Sequence, residues 1–333
     1  MALTDWRQLH HDRFDGVRAL ITGGAGFIGS HLAEALLDLG ATVIVFDDFS
    51  GGSMDNLEPL RQKHGKRLEI LKASLLQREL LDLAASDCRF VFHQAAWGSV
   101  PRSVEMPVHY HEVNATGTVN LLEAAKKAGV RRVVFAASSS AYGDTETLPK
   151  VETMPARPLS PYAASKVACE ALLRAHAHCY DIDAASLRYF NIFGPRQNAN
   201  SAYAAVIAAF AKALFHGENP VIFGDGEQSR DFTFVDNAVH ANLLAAGCET
   251  PLRGEVMNIA CGQRVTVNQL CQRMIDMWKR KGARIAYQPE RAGDVKHSLA
   301  DLTLAGKLIG YKPIVNFDAG LDATVQWYRE TMS

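Results

Sequence analysis

The segment from Thr22 to Gly29, TGGAGFIG, constrains the fold more than any other part of the chain. Residues 17–22 (VRALIT) before it read as a short buried strand. Residues 30–39 after it carry helical apolar spacing ended by Gly40, and residues 42–46 form a second apolar strand. Strand, glycine turn, helix and strand make a βαβ unit. The three-residue spacing of Gly23, Gly26 and Gly29 suits a phosphate-binding turn. The first glycine permits the tight turn and the second lets backbone approach a pyrophosphate. The third allows close helix–strand packing, with the helix amino terminus facing the phosphates.

The alternation continues, with strands expected at residues 89–93, 132–137 and 184–189, and helices at 113–128 and 165–178. It predicts an α/β fold, a Rossmann-type doubly wound parallel sheet with helices on both faces. After about Asn191 the rhythm breaks into turn-rich and glycine-rich stretches. We therefore expect a dinucleotide-binding domain over residues 17–190, with a returning segment near 232–262. A smaller α+β substrate domain would comprise residues 191–231 and 263–333.

Charge excludes some functions. The 35 basic and 36 acidic residues nearly cancel, whereas a nucleic-acid binder needs a basic excess to neutralise phosphates. Residues 1–16 are polar with no signal-peptide core, and the longest apolar run, 203–211, falls short of the ~20 residues of a membrane helix. A soluble, cytoplasmic protein without nucleic-acid or membrane partners is expected. The six cysteines lack CxxC pairing and read as reduced thiols, and no metal is expected at His31 or His93. Trp97 reads as packing, residues 204–214 as a core helix, and Arg131-Arg132 as a solvated helix-to-strand turn.

Asp47 lies 18 residues after Gly29, at the end of the second strand, where a carboxylate can accept bonds from both ribose hydroxyls. With Asp48 beside it and no neighbouring arginine, a 2′-phosphate would be repelled, which favours NAD over NADP. Tyr162 and Lys166, four apart at the start of a predicted helix, share a face. A nearby ammonium favours a phenolate, turning a group of pKa about 10 into a general base near neutrality. Ser138, Ser139 and Ser140 follow a strand at its carboxyl end, where α/β sheets place ligands and a hydroxyl can hold a substrate alcohol.

These motifs, with HQAA (93–96), GSVPRS (98–103), SSSAYGD, YAASK, FNIFGPRQN (190–198), SRDF and RAGDVKHSLAD in order, make the chain resemble the extended short-chain dehydrogenase/reductases, and within them the bacterial UDP-N-acetylglucosamine/galactosamine 4-epimerases. The resemblance implies that Ser138 and Tyr162, with Lys166, act on the sugar 4-hydroxyl. Gly23, Gly26, Phe27, Ile28, Asp47, Asp48, Ser50, Gly52, Ser74, Leu75, Gln94, Ala95, Ala96, Asn114, Tyr162, Lys166 and Phe190 would line NAD. Asn191, Arg230 and Arg291 would hold a diphosphate and Phe223 a uracil, while Gly98, Ser99, Ser139, Ser140, Gln197 and Ser298 would border the sugar. Guanidinium forks match phosphate oxygens. The Ser74-Leu75 pair stands where the family has Asp-Ile or Asp-Val at adenine, which bears on NAD affinity rather than on the chemistry.

The resemblance also separates related reactions. Family dehydratases carry Asp-Glu directly after the strand-end hydroxyl, and decarboxylases keep the glutamate; here those places are Ser139 and Ser140. Epimerisation is therefore expected over lyase chemistry. Ser298, seven residues after Arg291, replaces the bulky tyrosine of glucose/galactose-only epimerases, and leaves space for a 2-acetamido group. UDP-N-acetylhexosamines are the expected substrates, with UDP-uronic acid 4-epimerisation the alternative and a non-catalytic NAD-binding regulator a more distant one. The family implies a homodimer through a four-helix bundle and a role in polysaccharide precursor synthesis.

Overall fold

The computed structural model describes residues 3–198, 206–280, 282–290 and 296–332. Its central sheet contains β1 (Arg18–Thr22), β2 (Thr42–Asp47), β3 (Leu68–Lys72), β4 (Phe90–His93), β5 (Arg132–Ser138), β6 (Asp183–Tyr189) and the strand Glu255–Ile259. Across the sheet the order is Glu255–Ile259, β6, β5, β4, β1, β2, β3, and all neighbours are parallel. The chain reverses direction across the sheet between β1 and β4. A crevice therefore opens at the carboxyl ends of those strands, the usual ligand position in such folds.

The inner strands are apolar throughout because helices cover both faces. Helices Phe27–Asp38 and Val235–Gly247 pack on one side, and Arg78–Ala85, Gly117–Lys127 and Pro161–Cys179 on the other. This is the doubly wound parallel sheet that the alternation predicts. β3 is absent from the sequence reading because it is the sheet edge: its LEILK run is only partly buried and carries two charges. A third cluster joins Phe193, Phe210, Phe232, Phe317 and Val325 into the core of the carboxyl-terminal lobe.

One expectation changes. Arg132 is not solvated: it is 2% exposed, donates to Asp183 and to the carbonyls of Ala245, Cys248 and Thr250, and ties β5 to the end of helix Val235–Gly247. The polar stretch before β1 is itself folded. Asp5 caps the short helix Trp6–His10, Phe14 is fully buried, and His10 Nε2 lies 3.0 Å from His240 Nδ1. Among the described residues no helix is long and apolar enough to cross a membrane, and all six cysteines are free.

Beneath the sheet's carboxyl edge, Arg188 and Glu170 form a buried two-pronged ion pair at 2.8 and 2.7 Å. Removing one partner strands a charge in a low-dielectric interior, whereas removing both does not. Glu170→Ala should lower unfolding free energy in urea by about 3–5 kcal/mol. The double variant Glu170→Leu/Arg188→Met should lose much less; equal losses would contradict this account.

Candidate active site

The glycine turn is built by close approach. Gly23 has φ +71, and a Cβ on it would fall 2.5 Å from Ala95 N; one on Gly29 would fall 2.2 Å from the Gly23 carbonyl oxygen. Neither position tolerates a side chain. Gly26, the amino cap of helix Phe27–Asp38, is different: an added Cβ would meet only the Gly23 oxygen, at 3.2 Å, and Gly26 borders a cleft of about 430 Å³. The first and third glycines are thus required by packing, and the second keeps space open for a guest.

That cleft is lined by Gly23, Gly26, Phe27, Ile28, Asp47, Asp48, Ser50, Gly52, Ser74, Leu75, Gln94, Ala95, Ala96, Gly98, Tyr162 and Lys166. The Asp47 carboxylate accepts from the backbone N–H groups of Ala25 (2.9 Å) and Phe49 (2.8 Å), one on each oxygen, which leaves further lone pairs for ribose hydroxyls. Burial raises its pKa and the two donors oppose that rise. An adenine-nucleotide guest fits this lining: open glycine at the helix start, acidic acceptor at the end of β2, apolar walls from Phe46 and Leu75. Ser74 is engaged locally, its hydroxyl accepting from Leu76 N and its N–H donating to Gln77.

Asn114 and Phe190 are not among the residues that line this cleft. Asn114 faces inward, bonding both the N–H and the carbonyl of Trp97 and the Ser165 hydroxyl, so it shapes the cleft wall from behind. Phe190 is fully buried against Tyr142 and borders a neighbouring cavity instead. Trp97, expected as packing, lines the cleft, with its ring between Arg102 and His109.

The second cavity, about 280 Å³, lies at the end of β5 and is bordered by Ser138, Ser139, Ser140, Tyr162, Asn191, Arg230 and Ser298. Tyr162 and Tyr189 line both cavities. Tyr162 stands in the first turn of helix Pro161–Cys179, whose start is fixed by Pro161 and by the Ser160 hydroxyl accepting from Ala163 N. Burial raises the phenol pKa, and a hydrogen bond with Ser138 opposes this. Ser138 Oγ in turn accepts from Ser140 N and Oγ. Lys166, one turn on, donates from Nζ to the Ala136 carbonyl at 2.7 Å, and burial lowers its pKa to about 8.

A third cavity of about 300 Å³ adjoins the second through Asn191 and Arg230 and is lined mostly by apolar residues, with Phe223 in its wall. Asn191 adopts φ +40 and donates to the Asp231 carbonyl and to Ser298 Oγ, 3.1 Å away. Ser99 and Gln197 lie apart from these linings: Ser99 caps the helix Val100–Glu105, and Gln197 donates to the Ile192 carbonyl. Arg291 lies outside the described residues. His93 bridges Thr22 and Thr118, His31 contacts the Pro195 carbonyl, and burial lowers both to about 3. No cluster suited to a metal ion occurs among the described residues.

Comparison with known proteins decides the family. The model of the NAD dependent epimerase/dehydratase family matches residues 19–260. The chain belongs to that family. Family members like it include a UDP-glucose 4-epimerase of Mycolicibacterium smegmatis, 38% identical over 94% of this chain and 99% of the relative. Among solved structures, a UDP-N-acetylglucosamine 4-epimerase from Methanobrevibacter ruminantium is similar at 40% identity and a TM-score of 0.90, covering 96% of this chain and all of that one. A dTDP-glucose 4,6-dehydratase from Streptomyces venezuelae with NAD bound is similar at 32% identity and a TM-score of 0.86, over 95% and 98% of the two chains. This epimerase/dehydratase family member is an NAD-dependent enzyme.

Proposed function

We propose that the enzyme is a UDP-N-acetylhexosamine 4-epimerase. The observation that carries the reading is the position of Tyr162, a wall shared by the nucleotide cleft and the cavity at the end of β5, with Ser138 on its hydroxyl and Lys166 one turn away. The UDP-sugar 4-epimerases among its relatives support the reaction class.

When bound in the cleft, NAD supplies the hydride acceptor and donor for C4 of the sugar. The chain's own groups do the rest. Ser138 orients the 4-hydroxyl, Tyr162 removes its proton as general base, and the Lys166 charge favours the phenolate. The 4-keto sugar then turns about its diphosphate link and presents its other face, and Tyr162 returns the proton. Arg230, with Arg291, anchors the diphosphate through that turn, and Phe223 borders the uracil. The sugar cavity carries no carboxylate among the described residues, so the acid–base pair that water elimination needs is missing. The reading includes a homodimer through helices Gly117–Lys127 and Pro161–Cys179, tested by the mass in solution.

Ser298 is the element that admits the acetamido group. It is 9% exposed, and its hydroxyl takes the Asn191 amide, so a tyrosine there would fill the cavity. In Ser298→Tyr, kcat/KM for UDP-GlcNAc should fall at least tenfold further than kcat/KM for UDP-glucose. Equal losses with both substrates would remove Ser298 from the specificity account.

A further inference from the structure

The sugar cavity is bordered by two cationic residues, Arg230 and Lys150, and by no acidic one among the described residues. Arg230 also borders the cavity of Phe223, the end proposed above for the nucleotide, and is assigned there to the diphosphate. Lys150 has no such partner. Its backbone is fixed beside Ser298: its N–H donates to the Leu299 carbonyl at 2.7 Å, and its carbonyl accepts from Asp301 N and Asn258 Nδ2. The residue is 2% exposed. Its ammonium donates to the Thr145 carbonyl and makes no ion pair among the described residues, with exposed Asp144 attracting it only through space.

An ammonium has three donors, and one neutral carbonyl answers one of them. Burying a cation is costly unless an anion or a full set of acceptors replaces the lost water. In a cavity shaped for one sugar, the missing anion belongs to the guest. A neutral hexose offers only hydroxyls, whereas a hexuronic acid offers a carboxylate whose charge-assisted bonds are stronger.

We propose that Lys150 recognises a carboxylate on the sugar, so that UDP-sugars oxidised at C6 to the uronic acid are preferred over their uncharged counterparts. This rests on the UDP-sugar 4-epimerase reading and narrows it. Lys150 selects the acid, while Ser298 leaves room at the position of the acetamido group.

The test uses UDP-glucuronic acid and UDP-glucose, which differ only at C6, with the parent enzyme, Lys150→Met and Lys150→Arg. Both kcat/KM and calorimetric affinity are measured for each pair. The parent should favour the acid at least tenfold, and Lys150→Met should lower the acid-to-neutral ratio at least tenfold in both measurements. Lys150→Arg, keeping the charge, should retain part of the preference. A parent that favours the neutral sugar, or a Lys150→Met protein with an unchanged ratio, overturns the assignment. Affinity discrimination without turnover would leave Lys150 standing and remove the epimerase reading. Turnover without discrimination would do the reverse, and loss of both would remove both.

Discussion

Tyr162→Phe should turn over its UDP-sugar about a thousandfold more slowly than the parent, within the 10²–10⁴ range of a general acid–base group. The ring would still fill the wall between the two cavities, so KM should change little and the loss should appear in kcat. Stability should hardly move, because the lost hydroxyl has only Ser138 as its described partner. The phenol is half-buried in the wall of both cavities, and burial alone raises its pKa, the wrong direction for a base. Activity at neutral pH therefore depends on positive charge brought close to the ring. A Tyr162→Phe protein within tenfold of the parent would contradict the assigned role.

The source of that charge is tested by Lys166→Met, which should lose at least a hundredfold in kcat yet unfold at higher urea concentration. Burial depresses the Lys166 pKa from 10.5 to about 8, so the folded state disfavours its proton relative to the unfolded chain. Below pH 8 both states hold the proton and the folded protein bears the full penalty, on the order of 3 kcal/mol. Between pH 8 and 10.5 the folded state releases its proton first, and the penalty fades as pH rises. Methionine keeps most of the stem, removes the charge, and forfeits the bond to the Ala136 carbonyl, worth about 1 kcal/mol. A net gain of about 1–3 kcal/mol at pH 7, shrinking as pH rises above 8, is expected from urea unfolding. Destabilisation at pH 7 would show that the ammonium is held by more than one carbonyl.

Local periodicity made the sheet legible wherever strands are buried on both faces, as in residues 17–22 and 132–137, because such strands are continuous apolar runs. β3 escaped because an edge strand needs no such run. The glycine turn was legible because its spacing between strand and helix is local and Gly29 answers to the Gly23 carbonyl within one βαβ unit, whereas the approach of Gly23 to Ala95 comes from a distant strand end. Arg132 was not, since the carbonyls that satisfy it come from residues 245–250, more than a hundred positions away. The docked stretch before β1 follows Trp6, His10 and Phe14 at four-residue spacing, a signal hidden by the polar residues around them. Tyr189 and Lys150 show the same limit at the site. Tyr189 faces both cavities only because β6 lies beside β5, and Lys150 borders the sugar cavity only because its backbone pairs with residues 299–301.

Epimerisation at C4 is tested most directly by proton NMR of the sugar anomeric signals, with purified protein and no added cofactor. UDP-GlcNAc, UDP-glucose and UDP-glucuronic acid are incubated separately. UDP-GlcNAc should convert to its galacto epimer, with the diphosphate link intact and no unsaturated or decarboxylated product. Absence of any conversion, even after NAD is added, or release of a 4-keto-6-deoxy sugar as the product, would contradict it.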